Sequence, residues 1–219
     1  MSGSGFAGGL GLAAAAVLVC AMVIVWRRSA TAIVHALALQ GASLGTVALL
    51  LGLHQRSGVL VLVSVLVVAV KGAVVPRLLA RVVAGDPASR ETAPLVNVPA
   101  SLVTAGALSF LAYAVARPLA ALAPPPSGRL VFMGMAVLLI GFFVMASRRQ
   151  AISQIVGLLL VDNGIALVAF LATAGVPLLL ELGASLDVML VVVVLRVLAT
   201  RMQSVLGRVD IGQLRELHD

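Results

Sequence analysis

The sequence predicts an all-α membrane protein of about seven transmembrane helices. Of its 219 residues, 62% are hydrophobic, and the mean hydropathy is +1.18. Only 11% are charged, against roughly 25% in an average soluble domain. The apolar residues also fall into runs of about 20, the length that crosses a bilayer as a helix. A chain this short cannot bury so much apolar surface in a core of its own, so lipid is the solvent for it.

The spans follow in order. Phe6–Trp26 comes after a segment without basic residues, so it is expected to be a retained first helix and not a cleaved signal peptide. Arg27, Arg28 and Ser29 break the pattern before Ala30–Leu53. His54, Gln55, Arg56 and Ser57 separate that run from Gly58–Leu79. A longer polar stretch from Arg81 to Asn97 leads to Pro99–Leu122. Pro124, Pro125 and Pro126 cannot continue a helix and make a stiff link to Arg129–Ala146. Ser147, Arg148 and Arg149 precede Gln150–Gly175, and a tight turn at Gly175, Val176 and Pro177 opens the last run, Val176–Thr200. The tail from Arg201 to Asp219 can form one short amphipathic surface helix. Cys20 stands alone, which excludes an internal disulfide framework and any cysteine-based zinc or iron–sulfur centre.

Charge predicts the orientation, because cytoplasmic loops carry the excess of Lys and Arg. With the N-terminus outside, eleven arginines face inward: Arg27, Arg28, Arg77, Arg81, Arg90, Arg148, Arg149, Arg196, Arg201, Arg208 and Arg215. Only three, Arg56, Arg117 and Arg129, face outward. The expectation is therefore a multi-pass protein of the inner (plasma) membrane with its C-terminus in the cytoplasm. The net charge of +7 is explained by arginines along this inner rim, where they meet anionic lipid or a cytoplasmic partner, and requires no nucleic acid.

Several ionisable residues fall at membrane depth. A rise of about 1.5 Å per residue puts Asp162 about 18 Å into its helix, Asp187 about 16 Å and Lys71 about 20 Å. In a hydrocarbon core of about 30 Å all three lie near the midplane. Facing lipid, each would cost at least about 2.5–3.5 kcal/mol, so they must face protein, water or one another. Asp162 and Asp187 lie on helices joined by a tight turn. Two carboxylates close together in a low dielectric cannot both ionise easily, which makes them candidates for taking up and releasing a proton. Lys71 can stabilise a carboxylate or join the same relay. Glu181 lies near the outer end, where it can extend the path or reach water, and His35 near the inner end of the second helix can extend it too. Gln40 is read as a helix–helix hydrogen-bonding group. Each of these residues also has a purely structural reading, as a polar contact that fixes packing. Gly41, Gly45, Gly52, Gly157 and Gly164 permit close helix approach, and Gly72 with Pro76 can kink the third helix beside Lys71. The sequence holds no phosphate loop, no Gly-x-Gly-x-x-Gly, no nucleophile elbow and no His-rich metal cluster.

From Arg129 to Asp219 the chain resembles the K subunit of respiratory complex I and the C subunit of multisubunit cation/proton antiporters. Arg148, Arg149 and Gln150, then Gly157 and Leu158, then Asn163 look like that family's Arg-Arg-Asn, Gly-Leu-Glu and Asn positions. Val209, Asp210 and Ile211 are similar to its end. The family's membrane glutamate falls on Leu159, and the carboxylate appears one turn later as Asp162. With four helices in front, and with Asp162-Asn163-Gly164, Pro177 to Gly183 and Leu186-Asp187, the whole chain resembles hydrogenase-4 component E. The resemblance divides it into a four-helix region (1–128), a K-subunit-like three-helix module (129–200) and a cytoplasmic tail (201–219). It implies a subunit with no cofactor, neither metal nor flavin. Such a subunit sits beside antiporter-like partners in a hydrogenase or formate hydrogenlyase complex and helps move protons or cations. A small self-sufficient transporter and a structural spacer subunit are the alternatives.

Overall fold

The computed structural model describes residues 3–85, 97–122, 125–148 and 151–173. The described residues are almost entirely helical, and six helices are long and apolar enough to cross a membrane, which makes the chain a multi-pass membrane protein. The expected seventh span, Val176–Thr200, and the tail lie outside the described residues.

The first span is α1 (Gly3–Trp26) and the second α2 (Ala30–Gln55). Arg56 closes α2 in the left-handed region at φ 55°, which lets its own N–H and that of Ser57 both donate to the Gly52 carbonyl. This double bond satisfies a helix-end carbonyl as a Schellman-type cap does. Ser57 then caps the next helix, its hydroxyl accepting from the Leu60 N–H. The third span has three parts: α3 (Gly58–Val67), a π-helical segment (Val68–Val74) and α4 (Val75–Gly85). The fourth span is α5 (Val98–Leu122), which carries Pro99 in its first turn, where a missing N–H costs nothing. A 3-10 turn (Ser127–Leu130) leads into α6 (Val131–Ser147), and α7 (Ala151–Thr173) completes the described chain.

The middle of the molecule is made by α1 and α2. α2 packs against the whole third span on one side and against α7 on the other, while α1 meets α5 and α6. The most intimate pair is α6 with α7. The sequence explains the closeness of both seams. On α2, a side chain at Gly41 would run into the Lys71 carbonyl and the Gly72 nitrogen. In the other seam, Gly134 and Gly141 of α6 face Val168 and Val161, while Gly157 and Gly164 of α7 face Met145 and Leu138. These glycines recur every seven residues on each helix, so two backbones approach along a whole face. Close packing of this kind holds membrane helices together where the hydrophobic effect does not. Burial follows the arrangement: 61% of the α7 span is covered but only 17% of the α5 span. The uncovered faces of α3 and α5 are apolar, as lipid requires.

Candidate functional site

Lys71 comes to the centre of the bundle through an unusual stretch of backbone. An α-helix pairs each N–H with the carbonyl four residues back, whereas here the Val75 N–H donates to the Val70 carbonyl, five back. Pro76 has no N–H to offer Gly72, so the ladder is already short of one α-type bond at this level. The chain takes a wide π turn where the sequence suggested a proline kink. Gly41 and Gly72 let the widened turn rest directly on α2. π segments are rare and are often found at functional positions.

From this turn the Lys71 ammonium donates to the Asp162 carboxylate of α7, with Nζ 2.5 Å from Oδ2. The two side chains are only 7% and 15% exposed. Their expected depths of about 20 and 18 Å, counted from opposite membrane faces, bring them to one level near the midplane. Each charge is thus matched by the other instead of facing lipid, where it would be costly. The pair ties the third span to α7 across sequence positions 91 apart.

A second polar contact lies one residue away. Asn163 donates through Nδ2 to the Gln40 Oε1 of α2 at 2.9 Å, and Gln40 donates through Nε2 to the Val17 carbonyl of α1 at 3.1 Å. Gln40 is completely buried. Its amide therefore uses both its acceptor and a donor, and the bonds join α1, α2 and α7. With the ion pair, four spans meet in one polar layer inside an apolar bundle.

A third feature, not foreseen in the sequence, lies at the end of the bundle where α1 finishes. Arg148 was expected on the basic rim, but its side chain is buried, and Nη2 lies 3.1 Å from the Ile24 carbonyl, 3.3 Å from that of Val25 and 3.4 Å from that of Arg27. These belong to the C-terminal end of α1, where carbonyls lack helical partners and a cation is favoured. Burial lowers the Arg148 pKa from its ordinary value, and the group stays charged at neutral pH. The guanidinium locks α1 to the start of the α6–α7 connection. The signal in the sequence was only a pair of arginines after an apolar run, which reads equally as rim charge.

Of the residues singled out by depth, Lys71 and Asp162 are brought together. His35 is exposed near the N-terminal end of α2 and does not take part in these bonds. Asp187 and Glu181 lie outside the described residues.

No family model matches the chain, and no solved structure matches it. A curated relative, uncharacterized protein Rv0085 of Mycobacterium tuberculosis, is 44% identical over 220 residues, covering all of both chains. Identity of that order along the entire length places the present chain in the same protein family as Rv0085.

Proposed function

We propose that the chain is a non-redox membrane subunit of a hydrogenase-4 or formate-hydrogenlyase type complex related to complex I, and that it contributes to proton or cation translocation. The single observation that carries this reading is the buried Lys71–Asp162 pair at the midplane. A purely architectural bundle has little reason to bear two charges there, since well-packed apolar residues stabilise such a place as well or better. The resemblance of the Arg148–Asn163 run to the K subunit, and of the whole chain to hydrogenase-4 component E, supports the setting. In this reading the seventh span is Val176–Thr200, and Asp187, Glu181 and His35 extend the path from the pair. The N-terminus lies outside and the C-terminus in the cytoplasm, and antiporter-like subunits flank the bundle in the plasma membrane.

A proton arriving at Asp162 would neutralise the carboxylate and release the Lys71 ammonium to another acceptor, and departure of that proton would restore the pair. The hydrogen-bonded Gln40–Asn163 contact holds α7 in place while the charge changes. The test uses vesicles containing the whole complex. Asp162→Asn keeps the size and hydrogen bonding of the side chain but removes its titrating proton, so redox-coupled pumping, normalised to the complex that assembles, should fall sharply. Asp162→Glu should retain much of the activity. Normal pumping by an assembled Asp162→Asn complex would leave the pair a packing device and the subunit a spacer.

A further inference from the structure

Arg117 and Arg129 converge on one pocket at the end of the bundle opposite the Arg27–Arg28 rim. The cavity has a volume of about 370 Å³ and is lined by Tyr113, Ala116 and Arg117 of α5, Gly128 and Arg129 of the 3-10 turn, and Phe132 of α6. That is within the range of small-molecule sites. Its walls are held in place: the Arg117 guanidinium lies 5.6 Å over the Tyr113 ring, and Tyr113 meets Phe132 edge-on at 5.4 Å. Among the described residues Asp162 is the one acidic side chain, and Lys71 engages it far from this end. No described carboxylate therefore balances the two guanidiniums.

The wall continues as an apolar track. Val103, Phe110, Tyr113 and Arg117 are spaced by seven, three and four residues, so they share one face of α5. Phe110 is 75% exposed and Val103 is 73% exposed. The site thus has a doubly cationic end at the interface, an amphipathic tyrosine at headgroup level, and an apolar strip running toward the midplane. Free anions need only the first of these, whereas an amphiphile needs all three.

We propose that this pocket binds an anionic phospholipid, with Arg117 and Arg129 holding the headgroup phosphate and one acyl chain lying along Tyr113 and Phe110. Guanidinium groups suit this ligand because they pair with phosphate through two parallel hydrogen bonds.

The experiment uses the full-length chain in detergent, with bound lipid measured by native mass spectrometry against added phosphatidylglycerol, phosphatidylcholine or inorganic phosphate. A phosphatidylglycerol carrying a photoreactive acyl chain maps the track. Phosphatidylglycerol should be held about tenfold or more in preference to phosphatidylcholine, a difference of one decade in affinity. The label should fall on α5 around Phe110; R117Q/R129Q should lose that label and lower the preference, whereas R27Q/R28Q at the other end should keep the label there. Equal retention of the two lipids, labelling confined to other helices, or an unchanged preference in R117Q/R129Q would overturn the proposal. Competition by millimolar inorganic phosphate as effective as that by phosphatidylglycerol would make this a free-anion site instead. If the double variant does not fold, the wild-type preference and the labelled position still decide, together with the single change R129Q at an exposed residue.

Discussion

Lys71 and Asp162 each depend on the other, and removing either one has a different consequence from removing both. A lone buried charge is uncompensated, and breaking such a pair costs about 3–5 kcal/mol. Lys71→Met should therefore lower the thermal stability of the detergent-solubilised protein strongly. The double change Lys71→Met with Asp162→Leu should recover most of the loss, because two apolar groups of similar volume pack without a desolvation penalty. Transport by the complex should not recover with it. Stability and activity separating in this way would identify the pair as functional chemistry; their recovering together would identify it as packing. Both residues were legible in the sequence, because a charge in the middle of a 20-residue apolar run can be placed in depth by counting. Gln40 was legible in kind, as a helix–helix hydrogen-bonding group, but its partners were not: spacing along one helix says nothing about which neighbour lies opposite. Arg148 was misplaced on the rim because arginine at the end of a run can point to water or turn back onto a neighbouring helix, and only the packing of α1 decides between them.

Among the elements, the seams between helices are set by glycine. Gly41→Leu would push a side chain into the backbone of the π segment, and Gly164→Leu would push one into Leu138 of α6. Each should destabilise the bundle by more than the roughly 1–3 kcal/mol typical of an overpacked core, because the clash is with backbone and not with a movable side chain. Gly106→Leu on α5, where nothing lies within 4 Å, should be tolerated. Thermal melts of the three variants in one detergent would check the order. The helices themselves were readable to within a few residues: Ala30–Leu53 is observed as Ala30–Gln55, and Pro99–Leu122 as Val98–Leu122. Their ends moved because the backbone of polar residues such as His54 still hydrogen-bonds along a helix, and the His54 ring here stacks on Phe6 with centroids 3.9 Å apart. The π turn was not readable. Gly72 and Pro76 announced a disturbance without saying whether the backbone would bend or widen.

At the scale of the whole molecule, arginine distribution and weak burial of α5 lead to two further expectations. A reporter fused after Asp219 should be active only on the cytoplasmic side; activity outside would reverse the orientation and place the Arg117–Arg129 pocket inward. The protein should also co-purify with larger membrane subunits and show little ion transport when reconstituted alone. Robust exchange by the lone chain would favour a self-sufficient transporter.

The buried positions of the third span are Leu60, Ser64, Val67, Lys71, Val75, Pro76, Leu79 and Val83, and from Val67 one stripe of them, Val67, Lys71, Val75, Leu79 and Val83, advances by four residues at each step. In a uniform α-helix each such step overshoots a full turn by about 40°, so a stripe with this spacing would wind away from α2. The wide segment at Val68–Val74 absorbs part of the overshoot, as one inserted residue would. It thereby sets the phase between the midplane ammonium and the Arg77–Arg81 face below it. Deleting Ala73 should close the ladder into a plain helix and leave the stripe beyond it on nearly its present face, whereas deleting Ala69 and Ala73 together should rotate everything beyond by about 100°. In the double deletion, cysteine cross-linking from α2 to positions 79 and 83 would be lost, while cross-links to positions 60 and 64 would persist. The third span is in effect a keyed shaft, and the chain length of its wide segment determines whether both of its ends are in register with α2.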